Sequence, residues 1–172
     1  KINILNSNAL SAGKVRKQMG TKESRWFRKG EFKSDTYEED KAKILALYRS
    51  EGYQQATIVR DSVYYDESRQ NLFIDLEMDE GRQYRLGKMV WNGNELLGNA
   101  ALQSRVAAKE GDVYKFSTPE LAYLAKSAYY EMGYLDTEVL PVETIRGDSI
   151  DVEFQVFGGE PFRIRRIDIQ GN

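Results

Sequence analysis

Few kinds of reactive side chain are present. The 172-residue chain has no cysteine and no histidine. That removes thiolate nucleophiles, disulfides, Cys/His zinc sites and histidine-based triads. Carboxylates and cations remain. Glu38-Glu39-Asp40 and Asp79-Glu80 are carboxylate clusters, and acid–base work would need two such groups converging on one cleft. The first cluster falls at a helix start, where the helix dipole favours acids, and the second at a strand end. Asp75, Glu77 and Asp79 alternate, which sets three acids on the solvated face of a strand and not in a calcium loop. Gly158-Gly159 leads into no Lys-Ser/Thr and no helix, so it is not a phosphate loop. No catalytic residue, metal ligand or cofactor is expected, and the chain reads as non-enzymatic.

A second chemistry is surface binding. Residues 14–33 hold Lys14, Arg16, Lys17, Lys22, Arg25, Arg28, Lys29 and Lys33 against Glu23 and Glu31, with Trp26, Phe27 and Phe32 interleaved. Arg25, Trp26, Phe27, Arg28, Lys29 and Phe32 form a candidate basic-aromatic surface, suited to an anionic lipid surface or an acidic protein face, and by composition also to stacking on single-stranded nucleic acid. The plainer expectation is a loop whose aromatics pack onto their own domain while the charges face water. The net charge is −2 overall, +5 over residues 1–53 and −7 over residues 54–172. A basic head on an acidic body suggests a polarised surface and argues against nucleic acid as a partner. The longest apolar runs, such as Ile44 to Tyr48, fall far short of the roughly 20 residues that cross a bilayer. No hydrophobic leader follows Lys1, and the abrupt start and finish read as those of a segment cut from a longer protein.

Internal repetition organises the chain. Asn71 to Gly81 matches Ser149 to Gly159 as an alternating strand ending on glycine, at an offset of 78. At the same offset Tyr84-Arg85-Leu86 matches Phe162-Arg163-Ile164, and Met89 to Asn94 matches Ile167 to Asn172. Tyr48 to Tyr53 matches Tyr129 to Tyr134 at an offset of 81. A weaker copy of the Gly-Asn strand opens the chain at Ile2 to Asn8. A unit of this length is too long for a solenoid repeat and right for a small domain with its own core. The boundaries read as 1–82, 83–160, and 161–172 as the opening strand of a following unit.

Each unit must position the same elements. An alternating strand (Ile2 to Leu5, or Tyr84 to Trp91) precedes a short helix near Ala9–Met19 or Leu96–Ala108. A second helix follows. Thr36 with Glu39 predicts a capping box in the first unit, and Thr118 a cap before Pro119 in the second. Gly52 and Gly133 supply left-handed stops. Strands 56–65 and 71–78 then form a hairpin, as do 137–145 and 149–157. The fold class is α+β, with two helices packed on a three-stranded mixed sheet in each tandem module.

That order, with Gly52-Tyr53 and Gly133-Tyr134, Gly81 and Gly159, and Gly93-Asn94 and Gly171-Asn172, resembles the POTRA (polypeptide-transport-associated) family. Met19 to Glu23 followed by Tyr37 to Lys41 is similar to the third POTRA of the BamA group of assembly factors. Gly111 to Tyr114, Met132 to Tyr134 and Leu140 to Glu143 are similar to the fourth. The resemblance implies a non-enzymatic module on the periplasmic side of the bacterial outer membrane, joined to neighbouring POTRA domains and a C-terminal membrane β-barrel. Its implied partners are unfolded outer-membrane proteins and accessory lipoproteins, with the outer-membrane surface as a further contact. A translocation-pore arm and a spacer without client contact are the competing readings.

The resemblance also implies that the strand after the second helix is a sheet edge, open to an added strand. The second unit's strand contains Pro141, which cannot donate to a ladder. The first unit's has no proline, so Ala56, Thr57, Ile58, Val59, Arg60, Ser62 and Val63 are the expected docking edge. Gly81, Tyr84, Gly93, Gly159 and Phe162 are expected at domain junctions.

Overall fold

Alternation on one strand builds each unit. The computed structural model describes residues 1–23, 32–159 and 161–162. Among them the order is β1 (Ile2–Leu5), α1 (Ala12–Gln18), α2 (Ser34–Ser50), β2 (Thr57–Tyr65), β3 (Leu72–Asp79), β4 (Arg85–Asn92), α3 (Asn99–Val106), α4 (Thr118–Glu131), β5 (Glu138–Arg146) and β6 (Ser149–Phe157). The chain divides into two compact units, Lys1–Tyr84 with Val113–Lys115 and Arg85–Asp112 with Phe116–Asn172.

In the first unit β3 is central and the strand order is β1-β3-β2. β1 pairs with it in parallel and β2 antiparallel. Ile74, Leu76 and Met78 are buried while their neighbours on β3 are not, the period-2 pattern of a sheet covered on one face. Val15 of α1 and Ile44 and Tyr48 of α2 join that core. In the second unit β6 is central, in the order β4-β6-β5. Ile150, Val152, Phe154 and Val156 face Leu102, Leu121, Ala125 and Tyr129 in the core layer, and the Trp91 and Phe154 rings stack at 3.9 Å.

Helix ends repeat between the units. Gly52 and Gly133 take φ of +90° and +88°. The Tyr53 and Tyr134 N–H groups reach back to the Tyr48 and Tyr129 carbonyls at 2.9 and 3.0 Å, closing the last turn. The starts differ from the sequence reading. α2 begins at Ser34 after Lys33, with no side-chain cap, so Thr36 lies inside the first turn. Ser117, and not Thr118, caps α4 in a capping box with Glu120. Thr118 is already helical, and its hydroxyl donates to Glu143 at 2.7 Å. Asn6 has φ of +57° and Gly93 +77°. Register places them at matching points, since Asn3 pairs with Asp75 and Val90 with Glu153. Asparagine tolerates that backbone. At Gly93 only glycine fits, because a Cβ would come within 2.2 Å of the Val156 carbonyl oxygen.

One carboxylate gathers the first unit. Glu80 accepts from the N–H groups of Asn8 and Ala9 at 2.9 Å and from the Tyr48 hydroxyl at 2.9 Å. Burial alone would raise its carboxyl. The Ala9 and Asn8 N–H groups, then Tyr48 and Leu10, outweigh that and hold it below the usual carboxylate value. Asp40 behaves alike: burial opposes the charge, but the Gly20 N–H (2.5 Å) and Thr21 N–H (2.8 Å) hold it low. The second unit has Gly158 where the first has Glu80, at the offset of 78. Its matching Tyr129 hydroxyl is buried with no hydrogen-bond partner among the described residues.

Tyr48→Phe is therefore expected to cost about 1–2 kcal/mol, and Tyr129→Phe to lie within about 0.5 kcal/mol of wild type or to stabilise, by denaturant unfolding. Both Glu80 and Asp40 titrate below their unfolded values. Their contribution is full above the unfolded carboxylate range of about 4 and is lost as pH falls through the folded values. The melting-temperature gap between wild type and Glu80→Gln should close on acidification.

Candidate strand-docking edge

β2 ends the first sheet: among the described residues no strand lies on its far side. Its pairing with β3 shifts between Ile58 and Arg60, so Val59 is the extra residue of a bulge. Beyond the bulge Asp61, Val63 and Tyr65 pair with Leu76, Ile74 and Leu72, on the helix side. Arg60, Ser62 and Tyr64 pair with Glu77, Asp75 and Phe73, on the open face. Along this edge Val59, Val63, Tyr64 and Tyr65 are exposed, Tyr65 to 62%.

Polar contacts hold the edge strand in register. Arg60 bridges to Glu77 at 3.0 Å, and the Tyr64 hydroxyl donates to Asp75 at 3.0 Å. The Tyr64 and Phe73 rings stack at 5.6 Å. In the hairpin turn Asp66 accepts from the Asn71 side-chain amide at 2.7 Å. That amide, with Ser68 and the N–H groups of Asn71 and Gln70, holds the Asp66 carboxyl down at about 2.

α2 flanks the strand on the helix side. Lys41 spans from Glu38 (2.8 Å) on its own helix to Asp61 (3.1 Å) on β2. Glu38 first, then Asp61, hold its ammonium above the ordinary lysine value. Burial, followed by the Asp61 carboxylate, pushes the Tyr37 hydroxyl well up. An inward-facing charge on an edge strand is a known guard against unwanted pairing. Tyr37, Glu38 and Lys41 stood out in the sequence only as part of a helix start; their place beside β2 had no local signal beyond Asp61.

β5 is the matching edge of the second sheet. It carries Pro141, opposite Phe154, and is tied to α4 through Thr118 and Glu143. Both edges are tied to the flanking helix, β2 through Asp61 and β5 through Glu143, and they differ at Pro141, which has no N–H to donate.

Other expected residues fall variously. Ala56 precedes β2 and is buried at 3% exposure, so it belongs to the core and not to the edge. Arg25, Trp26, Phe27, Arg28 and Lys29 lie outside the described residues. Phe32 is partly buried and packs on the first core, 5.7 Å from the Tyr37 ring. Tyr84 is buried in the first unit; its N–H donates to the Gly52 carbonyl at 2.8 Å and its hydroxyl to Gln55 at 2.6 Å. Phe162 makes the same backbone contact to Gly133 at 2.8 Å, with its ring exposed. Gly81 has φ of +62°, and Gly159 packs against Asp136, where an added Cβ would sit 3.0 Å from that side chain. Among the described residues no helix is long and apolar enough to cross a membrane.

Comparison with known proteins places this geometry. The family model for POTRA, described as "Surface antigen variable number repeat", matches residues 1–81 and 84–159. A protein of Treponema pallidum (strain Nichols), named "Putative outer membrane protein assembly factor", is 30% identical over 139 residues, covering 78% of this chain and 17% of that protein. The chain thus spans under a fifth of that relative. The crystal structure of Haemophilus influenzae BamA POTRA3-5 superposes with a TM-score of 0.67 at 21% identity, over 99% of this chain and 70% of that one. POTRA1-2 of the periplasmic domain of Omp85 from Anabaena gives 0.51 at 15% identity, over 93% and 94%. Those two likenesses speak to the fold. The repeated strand-helix-helix-strand-strand unit and the two family matches agree: this chain belongs to the POTRA family.

Proposed function

We propose that this chain is part of the periplasmic arm of a BamA-type outer-membrane protein assembly factor, its units standing third and fourth in that arm. Its work is to hold extended segments by strand addition to β2, with no catalytic step. The segments belong to unfolded outer-membrane proteins or to accessory lipoproteins, and a C-terminal β-barrel in the parent protein carries out insertion. Gly81, Tyr84, Gly93, Gly159 and Phe162 shape the junctions of the arm. The edge carries this reading, and residues 25–29 take no part in it.

The supporting observation is the contrast between two edges of one fold. β2 ends its sheet with Val59, Val63, Tyr64 and Tyr65 exposed along it. β5 also exposes Leu140, Val142 and Ile145, and each edge is tied to its helix, but β5 alone carries a proline, Pro141. Main-chain pairing supplies affinity in such docking, and side chains on alternate positions supply selectivity. The guard at Asp61 and Lys41 fits an edge that must stay single until a client arrives.

An extended peptide of alternating apolar and polar residues, titrated into the isotope-labelled chain, should shift the amides of 57–65 by NMR and leave 138–146 unmoved. Successive N–H groups along a strand point to opposite sides, so of residues 62 and 63 one faces β3 and the other the open edge. Of Ser62→Pro and Val63→Pro, the variant that keeps the β2–β3 ladder should lose binding. Binding untouched by both prolines, or shifts elsewhere, would overturn the reading; no binding at millimolar peptide would make the chain a spacer.

A further inference from the structure

The two units pass the same sheet face through the same fold and fill it differently. In the first unit the face turned away from the helices is tied across all three strands by polar contacts. The Asn3 amide donates to Asp75 at 2.7 Å, and Asn6 donates to Glu77 at 3.1 Å. Tyr64 and Arg60 meet the same two carboxylates from β2.

Strand register matches these positions to the second unit one by one. Asn3, Asp75 and Ser62 form one row, and Val90, Glu153 and Val142 form the corresponding row. Arg60 beside Glu77 becomes Leu140 beside Gln155, and Asp79 becomes Phe157. Val142, Val90, Leu140 and Phe157 are 45%, 47%, 51% and 51% exposed. At these positions the fold does not require apolar residues, because the first unit fills them with polar ones and carries its own apolar side chains on this face elsewhere, at Leu5, Tyr64 and Phe73. Four exposed apolar side chains grouped around Glu153 and Gln155 on one sheet face mark a surface for a partner.

Charge narrows what covers it. Glu153 sits between Val90 and Val142, accepts from the Asn92 amide at 2.8 Å, and has no cation paired with it among the described residues. Glu138, opposite Phe157, has none either. At the far end Arg146 is paired with Asp151 at 2.8 Å, and Arg85 donates to the Gly111 carbonyl at 2.7 Å. Lys88 stands exposed on β4 two residues before Val90, so the negative excess of Glu153 and Glu138 lies toward Leu140 and Phe157. A carboxylate covered by a partner needs a cation there. A two-fold copy would set Glu153 toward Glu153, and an anionic lipid surface would be repelled. Three strands at about 4.8 Å spacing are about 10 Å across, the width of one helix. From residue 138 to residue 144 the face runs about 20 Å, which a helix of about 14 residues covers.

We propose that this outer face, built on Val90, Leu140, Val142, Glu153 and Phe157, docks an amphipathic helix of a protein partner that presents an Arg or Lys within its apolar side. The docking is independent of strand addition at β2.

The probe is a synthetic amphipathic helical peptide of about 14 residues with one Arg central in its apolar face, beside a twin carrying Glu there. Titrated into the isotope-labelled chain, the Arg peptide should shift the amides of 90, 140, 142 and 157. The Glu twin should bind at least about tenfold more weakly. Glu153→Lys should reverse that preference. Val90→Asn with Val142→Ser, which writes the first unit's residues into the face, should abolish binding while the unfolding curve stays in place. Equal binding of both twins, shifts elsewhere, or no binding at millimolar peptide would overturn the proposal. So would binding of phosphatidylglycerol vesicles at this face, or dimerisation through it.

Discussion

Each unit buries only one face of a three-stranded sheet, and the rest of the structure depends on that. Every second side chain of β3 and β6 goes under two helices, each large apolar one contributing about 1.5–3 kcal/mol. Two helices cover one face and no more. An outer face and two edges are left over in every copy of the fold, so the fold obliges the sequence to decide what those surfaces do. In β2 the decision is an apolar and tyrosine-bearing edge with one inward charge. In β5 it is an apolar edge interrupted by a proline.

The units also differ in how they use buried polarity. In the first, Glu80 satisfies the turn at residues 8–10 and the Tyr48 hydroxyl together, linking chain segments some seventy residues apart. Asp40 does the same for the turn after α1. In the second, Gly158 removes the carboxylate and leaves the Tyr129 hydroxyl without a partner among the described residues. A buried orphan hydroxyl is costly. The first unit's stability therefore depends on the charge of Glu80 and Asp40, and through them on pH.

Much of the fold was legible because its signals are local. Period-2 runs, the Gly52 and Gly133 stops and the two offsets fixed order and element type. What escaped depends on non-local contact or on one-residue choices. Ser117 and Thr118 are both good caps, and only the backbone decides between them. The bulge at Val59 breaks strict alternation, so the row shared by Ile58 with Asp61, Val63 and Tyr65 was not readable. Ala56 looked like strand but is drawn into the core. The Lys41–Asp61 bridge needs the helix laid beside the strand before it exists. The replacement of Asn3 and Ser62 by Val90 and Val142 became visible only once register aligned the rows.

Amide hydrogen exchange across the first sheet tests the one-sided, open-edged unit most directly. In the free chain β3 amides should be protected, while beyond the bulge every second amide of 60–65 exchanges fast because its N–H has no partner strand. Adding an extended client segment should slow those alternate amides and no others in the unit. Uniform protection of 60–65 in the free chain, or protection by the client arising on the helices instead, would contradict an open edge at β2.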